Sequence, residues 1–149
     1  MKKKWFVLSL TVLMAGATAC RTSRPTAADG ADAVPLTGTC WKLTDLSGES
    51  VQMKSADAAP YLTLESGEHS VSGYGGCNRV RGAYELGGEQ EIRFSRMVIT
   101  QKMCLEAGDT EDRLMDALNR TVSCVLKGDT LILYGEGAEA LARFRALAQ

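Results

Sequence analysis

A chain of 149 residues with 45% hydrophobic and 23% charged residues is long enough for one domain with a sizeable core and too apolar to be disordered throughout. Its 17 basic residues nearly balance 18 acidic ones, and beyond Lys2, Lys3 and Lys4 they are scattered among carboxylates, which argues against a nucleic-acid partner, because phosphate binding needs a clustered basic face. The same balance argues against adhesion of the domain surface to anionic lipid.

Met1 to Lys4 is a basic start, Trp5 to Met14 is a mostly apolar run, and Ala15-Gly16-Ala17-Thr18-Ala19 is a small-residue exit ending at Cys20. The run is too short to span a bilayer as a mature helix and reads as a signal peptide over residues 1–19. A cysteine directly after small residues resembles the lipobox of bacterial lipoproteins. That resemblance implies diacylation of Cys20, which becomes the new N-terminus and anchors the protein to a membrane. Ala17 stands where Leu is commonest, and ordinary secretory cleavage near Ala19 is the alternative. Removing Lys2, Lys3 and Lys4 leaves 14 basic against 18 acidic residues, a formal charge near −4. Arg21 follows the cysteine in place of the Asp that favours inner-membrane retention in some bacteria. The expected location is therefore the outer membrane, on its periplasmic side or at the cell surface. Residues 20–35 hold almost nothing to bury and read as a flexible tether reaching on the order of 20 Å.

The domain, residues 36–149, opens at Leu36 to Leu43, where Trp41 and Leu43 alternate with Cys40 and Lys42 as in a half-buried strand. Trp41 is expected in the core. Asp45-Leu46-Ser47-Gly48-Glu49 gives a turn, Tyr61 to Leu64 a short strand, and Ser66-Gly67-Glu68 a turn into the strand that carries Val71. Val71 to Tyr84 is the centre of the chain: two alternating runs separated by Gly73, Gly75, Gly76, Cys77 and Asn78, the composition of a sheet corner. Tyr84 to Leu86 and Ile92 to Phe94 flank Gly87-Gly88 and predict a hairpin. One helix follows, with Asp109 or Thr110 as N-cap, Glu111 and Asp112 in the first turn, and Leu114, Met115, Ala117 and Leu118 on one face. Val122 to Leu126 and Thr130 to Tyr134 flank a Gly128-Asp129 turn. For Ala138 to Leu147 propensity and periodicity favour helix.

Four features together resemble the META domain family, also called HslJ-like. They are Gly38-x-x-Trp41-x-Leu43; Ser72-Gly73-x-x-Gly76-Cys77-Asn78-x-x-x-Gly82-x-Tyr84; Thr100-x-x-Met103-Cys104 followed by Glu111-x-x-Leu114-x-x-x-Leu118; and Gly128-Asp129-x-Leu131-x-Leu133 with a terminal Leu141-Ala142-Arg143-Phe144. The match runs from about Leu36 to Leu147. Gly38 sits one residue farther from Trp41 than usual, and Cys40 and Cys124 are additions. The resemblance implies a mainly β fold with one helix, a strongly curved antiparallel sheet or partly closed barrel with the helix packed across it. It turns the ambiguous tail into a closing strand at the sheet edge. It also implies a disulfide between Cys77 and Cys104, where the residues alone leave three connectivities open among the four cysteines after Cys20. That choice leaves Cys40 with Cys124, although the two fall on different faces by alternation.

His69 is the single histidine, so neither a Ser-His-Asp triad nor a second imidazole ligand can be built; a solvated turn residue is the expectation. Gly73-x-Gly75-Gly76 lacks the following helix and the Lys-Ser/Thr pair of a phosphate loop. Glu89 with Glu91, and Glu111 with Asp112, are read as solvated strand and helix ends. Cysteines without CxxC spacing or histidine company point to structural disulfides, and neither metal nor cofactor is expected. The leading expectation is a monomeric, non-enzymatic, lipid-anchored envelope module for stress or binding. A groove between Leu114, Leu118 and the sheet would accept an apolar peptide or acyl chain, by fold-level likeness to the lipoproteins that pilot outer-membrane secretins. The alternative is a hydrolase using Glu89 or Glu91.

Overall fold

Alternation of apolar and polar side chains over short runs, punctuated by turn residues, builds almost the whole domain. A computed structural model describes residues 34–52, 59–104 and 109–147. The leader, Cys20 and nearly all of the tether lie outside these residues. Among the described residues the strands are β1 (Cys40–Leu46), β2 (Glu49–Ser50), β3 (Tyr61–Glu65), β4 (Ser70–Tyr74), β5 (Arg79–Leu86), β6 (Ile92–Ile99), β7 (Ser123–Lys127), β8 (Thr130–Tyr134) and β9 (Ala140–Ala146), with a helix α1 (Thr110–Arg120) between β6 and β7. All pairings are antiparallel and join into one sheet of order β6-β5-β4-β3-β1-β9-β8-β7, with β2 a short hairpin on β1.

The sheet curls into a half-barrel. Irregularities between Leu43 and Asp45, Arg81 and Ala83, and Leu133 and Tyr134 add local twist. At one end the curl brings the outermost strands together: Cys124 N–H donates to the Gln90 carbonyl at 2.8 Å and Ile92 N–H to that of Val122 at 3.3 Å. Helix α1 lies in the concavity and buries Leu114, Ala117 and Leu118 against it. Trp41, Leu62, Val80, Tyr84, Leu133 and Phe144 complete this core. Trp41 is fully buried, and its indole N–H is satisfied by the Leu36 carbonyl at 2.9 Å.

Two expectations are corrected. The first strand starts at Cys40, because Gly38 takes φ +76°, outside the extended region, and breaks the run from Leu36. The tail is a strand, yet it lies inside the sheet, paired with β1 on one side and β8 on the other. Burial of Leu141, Ala142 and Phe144 overrides the helical propensity of Ala and Leu, since a strand hydrogen-bonded on both sides commits every backbone group.

Candidate functional site

The four-residue connection between β4 and β5, Gly75 to Asn78, meets the start of α1 in a buried polar hub. Asn78 is 5% exposed and Glu111 is 8% exposed. The Asn78 backbone N–H donates to Glu111 Oε2 at 2.6 Å, and Asn78 Nδ2 donates to Glu111 Oε1 at 2.8 Å and to the Lys102 carbonyl at 3.2 Å. Asn78 Oδ1 accepts from the Lys102 N–H at 2.7 Å and from the Thr100 hydroxyl at 2.8 Å. The amide thereby uses both donors and both acceptor positions, the condition for burying it without penalty. Gly75 is required by contact: a Cβ there would lie 2.7 Å from Glu111 Oε2. Gly76 is required by its backbone, at φ +110°. Cys77 is joined by a disulfide to Cys104, with Cα atoms 5.9 Å apart. Glu111 is therefore a buried ligand of the corner rather than a solvated helix end, and the expectation for it is corrected.

The hub holds one wall of a groove on the outer face of the sheet. Tyr61, Tyr74 and Arg79 are register partners across β3, β4 and β5, as are Thr63, Ser72 and Arg81 one step along. The groove, of about 420 Å³, is lined by Tyr61, Ser72, Gly73, Tyr74, Cys77, Arg79, Val80, Arg81 and Lys102, with no carboxylate among them. The Tyr61 and Tyr74 rings lie 6.4 Å apart at a 34° tilt, and the Tyr74 hydroxyl donates to the Gly76 carbonyl at 2.9 Å. Arg79 is held through its backbone: its N–H donates to the Thr100 hydroxyl at 3.2 Å and its carbonyl accepts from the Thr100 N–H at 3.1 Å. Arg79, Arg81 and Lys102 have no ion pair among the described residues, whereas Arg93, Arg113, Arg120 and Arg145 do.

The other expected residues are dispersed. Cys20 lies outside the described residues. Cys40 and Cys124 are free thiols, Cys40 half-buried and Cys124 buried, so the expected bridge between them is corrected. They belong to opposite faces: Cys40 pairs with outward-facing Thr63 and Cys124 with Leu133 of the core. Strands β9 and β8 also separate β1 from β7, three spacings or roughly 14 Å, against the ~7 Å limit of a bridge. Burial pushes the Cys124 thiol up from its ordinary pKa. His69 is an exposed turn residue at φ +48°, its ring 5.5 Å from that of Tyr84. Glu91 pairs with Arg93 at 3.1 Å, and none of the four cavities described is lined by Glu89 or Glu91. Leu114 and Leu118 are fully buried, so the anticipated apolar groove between helix and sheet is filled by the core itself. Among the described residues no three of His, Cys, Asp and Glu are placed to hold a metal ion, and no helix is long and apolar enough to cross a membrane.

Sequence reasoning missed Glu111 as the partner of Asn78 and missed the groove entirely. The usable signal was the register of the β4–β5 corner, which places Tyr74 opposite Arg79 and Ser72 opposite Arg81.

Fold and hub together define a half-barrel β domain with a single helix pinned into its concave face. Residues 34–148 match the family model of the META domain, and the chain belongs to that family. Three solved structures share the fold. An NMR structure of a protein from Burkholderia xenovorans is 24% identical, covers 85% of this chain and 100% of its own, and has a TM-score of 0.60. A second NMR structure is 17% identical over 75% of this chain and 95% of its own, with a TM-score of 0.57. A DUF4847 family protein from Bacteroides vulgatus is 14% identical over 76% of this chain and 96% of its own, with a TM-score of 0.57. No curated protein matches the chain.

Proposed function

We propose that the protein is a non-enzymatic, lipid-anchored envelope module, monomeric and held by Cys20 at the outer membrane, that captures a small ligand on the outer face of its sheet. The observation that carries this reading is the groove, where tyrosines and cations without an ion pair among the described residues converge with no carboxylate in the lining. A binding site needs a concave surface with a few convergent polar groups, and ~300–1,000 Å³ is the usual size. The basic start, apolar run and small residues before Cys20 support the anchor, and the tether of residues 20–35 lets the domain stand off the membrane.

Native mass spectrometry of protein purified from solubilised membranes tests both halves. The expected result is a diacyl mass on Cys20 and a small-molecule adduct that Tyr61→Ala abolishes. Protein recovered without detergent and without lipid mass would overturn the anchor; an adduct indifferent to Tyr61 would overturn the site. A second reading keeps the apolar peptide or acyl chain as ligand but moves it. It is favoured by a depression of about 510 Å³ lined by Val34, Pro35, Thr37, Gly38, Thr39, Asp129, Ala146 and Leu147, more apolar than the groove and next to the point where the tether joins.

A further inference from the structure

We infer that the ligand of the outer groove is a phosphorylated saccharide, an assignment that rests on the reading of the groove as a binding site. Two features must be satisfied together. Arg79 and Arg81 stand two residues apart on the same face of β5, roughly 7 Å along the strand, and Lys102 lies in the same wall. None of the three has a carboxylate partner among the described residues, a state shared with exposed Arg96 and Arg143, but these three line one groove that holds no carboxylate. A guanidinium offers a planar fork that fits phosphate bidentately, and a lysine adds a point charge, so the wall matches a phosphate group.

Beside the arginines, in the same cross-strand row as Arg79, the groove is aromatic. Tyr61 is 39% exposed, and its ring is tilted 34° to that of Tyr74 at 6.4 Å, which presents two non-parallel faces. A tyrosine offers an apolar ring face for the C–H surface of a sugar and a polar tip, with Ser72 at hand for a hydroxyl. The hub supplies rigidity: Asn78 fixes the backbone of Lys102 from both sides, and Thr100 fixes that of Arg79, so the cations converge before ligand arrives. A purely structural hub would account for the burial of Asn78 and Glu111 and would leave the convergence of three cations on a groove without a carboxylate unexplained.

The chemistry is shared by two sources, a soluble sugar phosphate and the phosphorylated headgroup of an envelope glycolipid. Calorimetric titration of the detergent-solubilised full chain with glucose 1-phosphate, glucose and inorganic phosphate tests the class. Glucose 1-phosphate should bind at least tenfold more tightly than either half. Arg79→Gln with Arg81→Gln should remove that advantage over glucose, Tyr61→Ala should remove the advantage over phosphate, and neither should shift the melting temperature appreciably, since the altered side chains are exposed. Equal binding of inorganic phosphate, insensitive to Tyr61→Ala, would overturn the saccharide half. Tight binding of neutral glucose that Tyr61→Ala abolishes would overturn the phosphate half while leaving the groove a binding site. Vesicles of phosphatidylethanolamine with and without a phosphorylated glycolipid separate the sources: retention on the former, displaced by glucose 1-phosphate, identifies a headgroup, and absence of retention with solution binding intact identifies a soluble ligand. Absence of any groove-dependent binding in both arms would overturn the assignment and the site together.

Discussion

The two faces of strands β3 to β5 are built from the same alternating residues and do opposite work. Inward, Leu62, Leu64, Val71, Val80 and Tyr84 are buried to within 2% and belong to one core cluster with Leu114 and Leu118 of α1. Outward, Tyr61, Tyr74, Arg79 and Arg81 have no counterpart in the core and line the groove. A period of two lets one strand serve the core on one face and the proposed binding groove on the other, and the corner at Asn78 joins the two.

The largest break in this division lies on the inner face. Trp41→Ala should cost about 3–5 kcal/mol, the range for emptying a buried aromatic site, measured by urea unfolding. Next is the brace of the corner: opening the Cys77–Cys104 bridge, whose residues are 27 apart in sequence, should cost ~3.5 kcal/mol by the chain-entropy relation. The same measurement on Cys77→Ser with Cys104→Ser checks it. Glu111→Ala should cost about 2–3 kcal/mol, because it strands the Asn78 N–H and amide donors, whereas Asp112→Ala, one residue on and exposed, should stay within ~0.5 kcal/mol. Equal costs would mean that the helix dipole, not the hub, explains Glu111.

A smaller effect should appear in alkali. Burial raises the Cys124 thiol, and burial with the Glu65 charge raises the Tyr84 phenol, above their ordinary values. A folded pKa above the unfolded one gives stability that is fully present below the unfolded value and is lost as pH rises through the folded value. Stability should therefore hold to about pH 8.5 and then decline, first through Cys124 and then, above about pH 10, through Tyr84. Cys124→Ala should flatten the first part. Maleimide should label half-buried Cys40 well before buried Cys124.

Much of the inner face was readable in the sequence. Trp41, the glycine corner, the Gly128-Asp129 hairpin and the apolar stripe of α1 follow from local periodicity and turn chemistry, which are properties of neighbouring residues. The tail was not: Ala140 to Ala146 looks helical by propensity, and only the resemblance to a curved-sheet family made it a strand. Glu111 was hidden by a sufficient local explanation, a carboxylate in a first helical turn, while its partner lies 33 residues away. The groove was hidden because its residues lie on three strands and two loops, and charges scattered along the chain converge only once the register is known.

Backbone amide shifts of the labelled full chain on addition of glucose 1-phosphate test this division of labour most directly. The account predicts shifts concentrated at Ser72 to Tyr74, Cys77 to Arg81 and Lys102, with Leu133, Leu141 and Phe144 of the core unmoved. Shifts centred instead on Val34 to Thr39 and Leu147, or no shifts at the β4–β5 corner at saturating ligand, would contradict it.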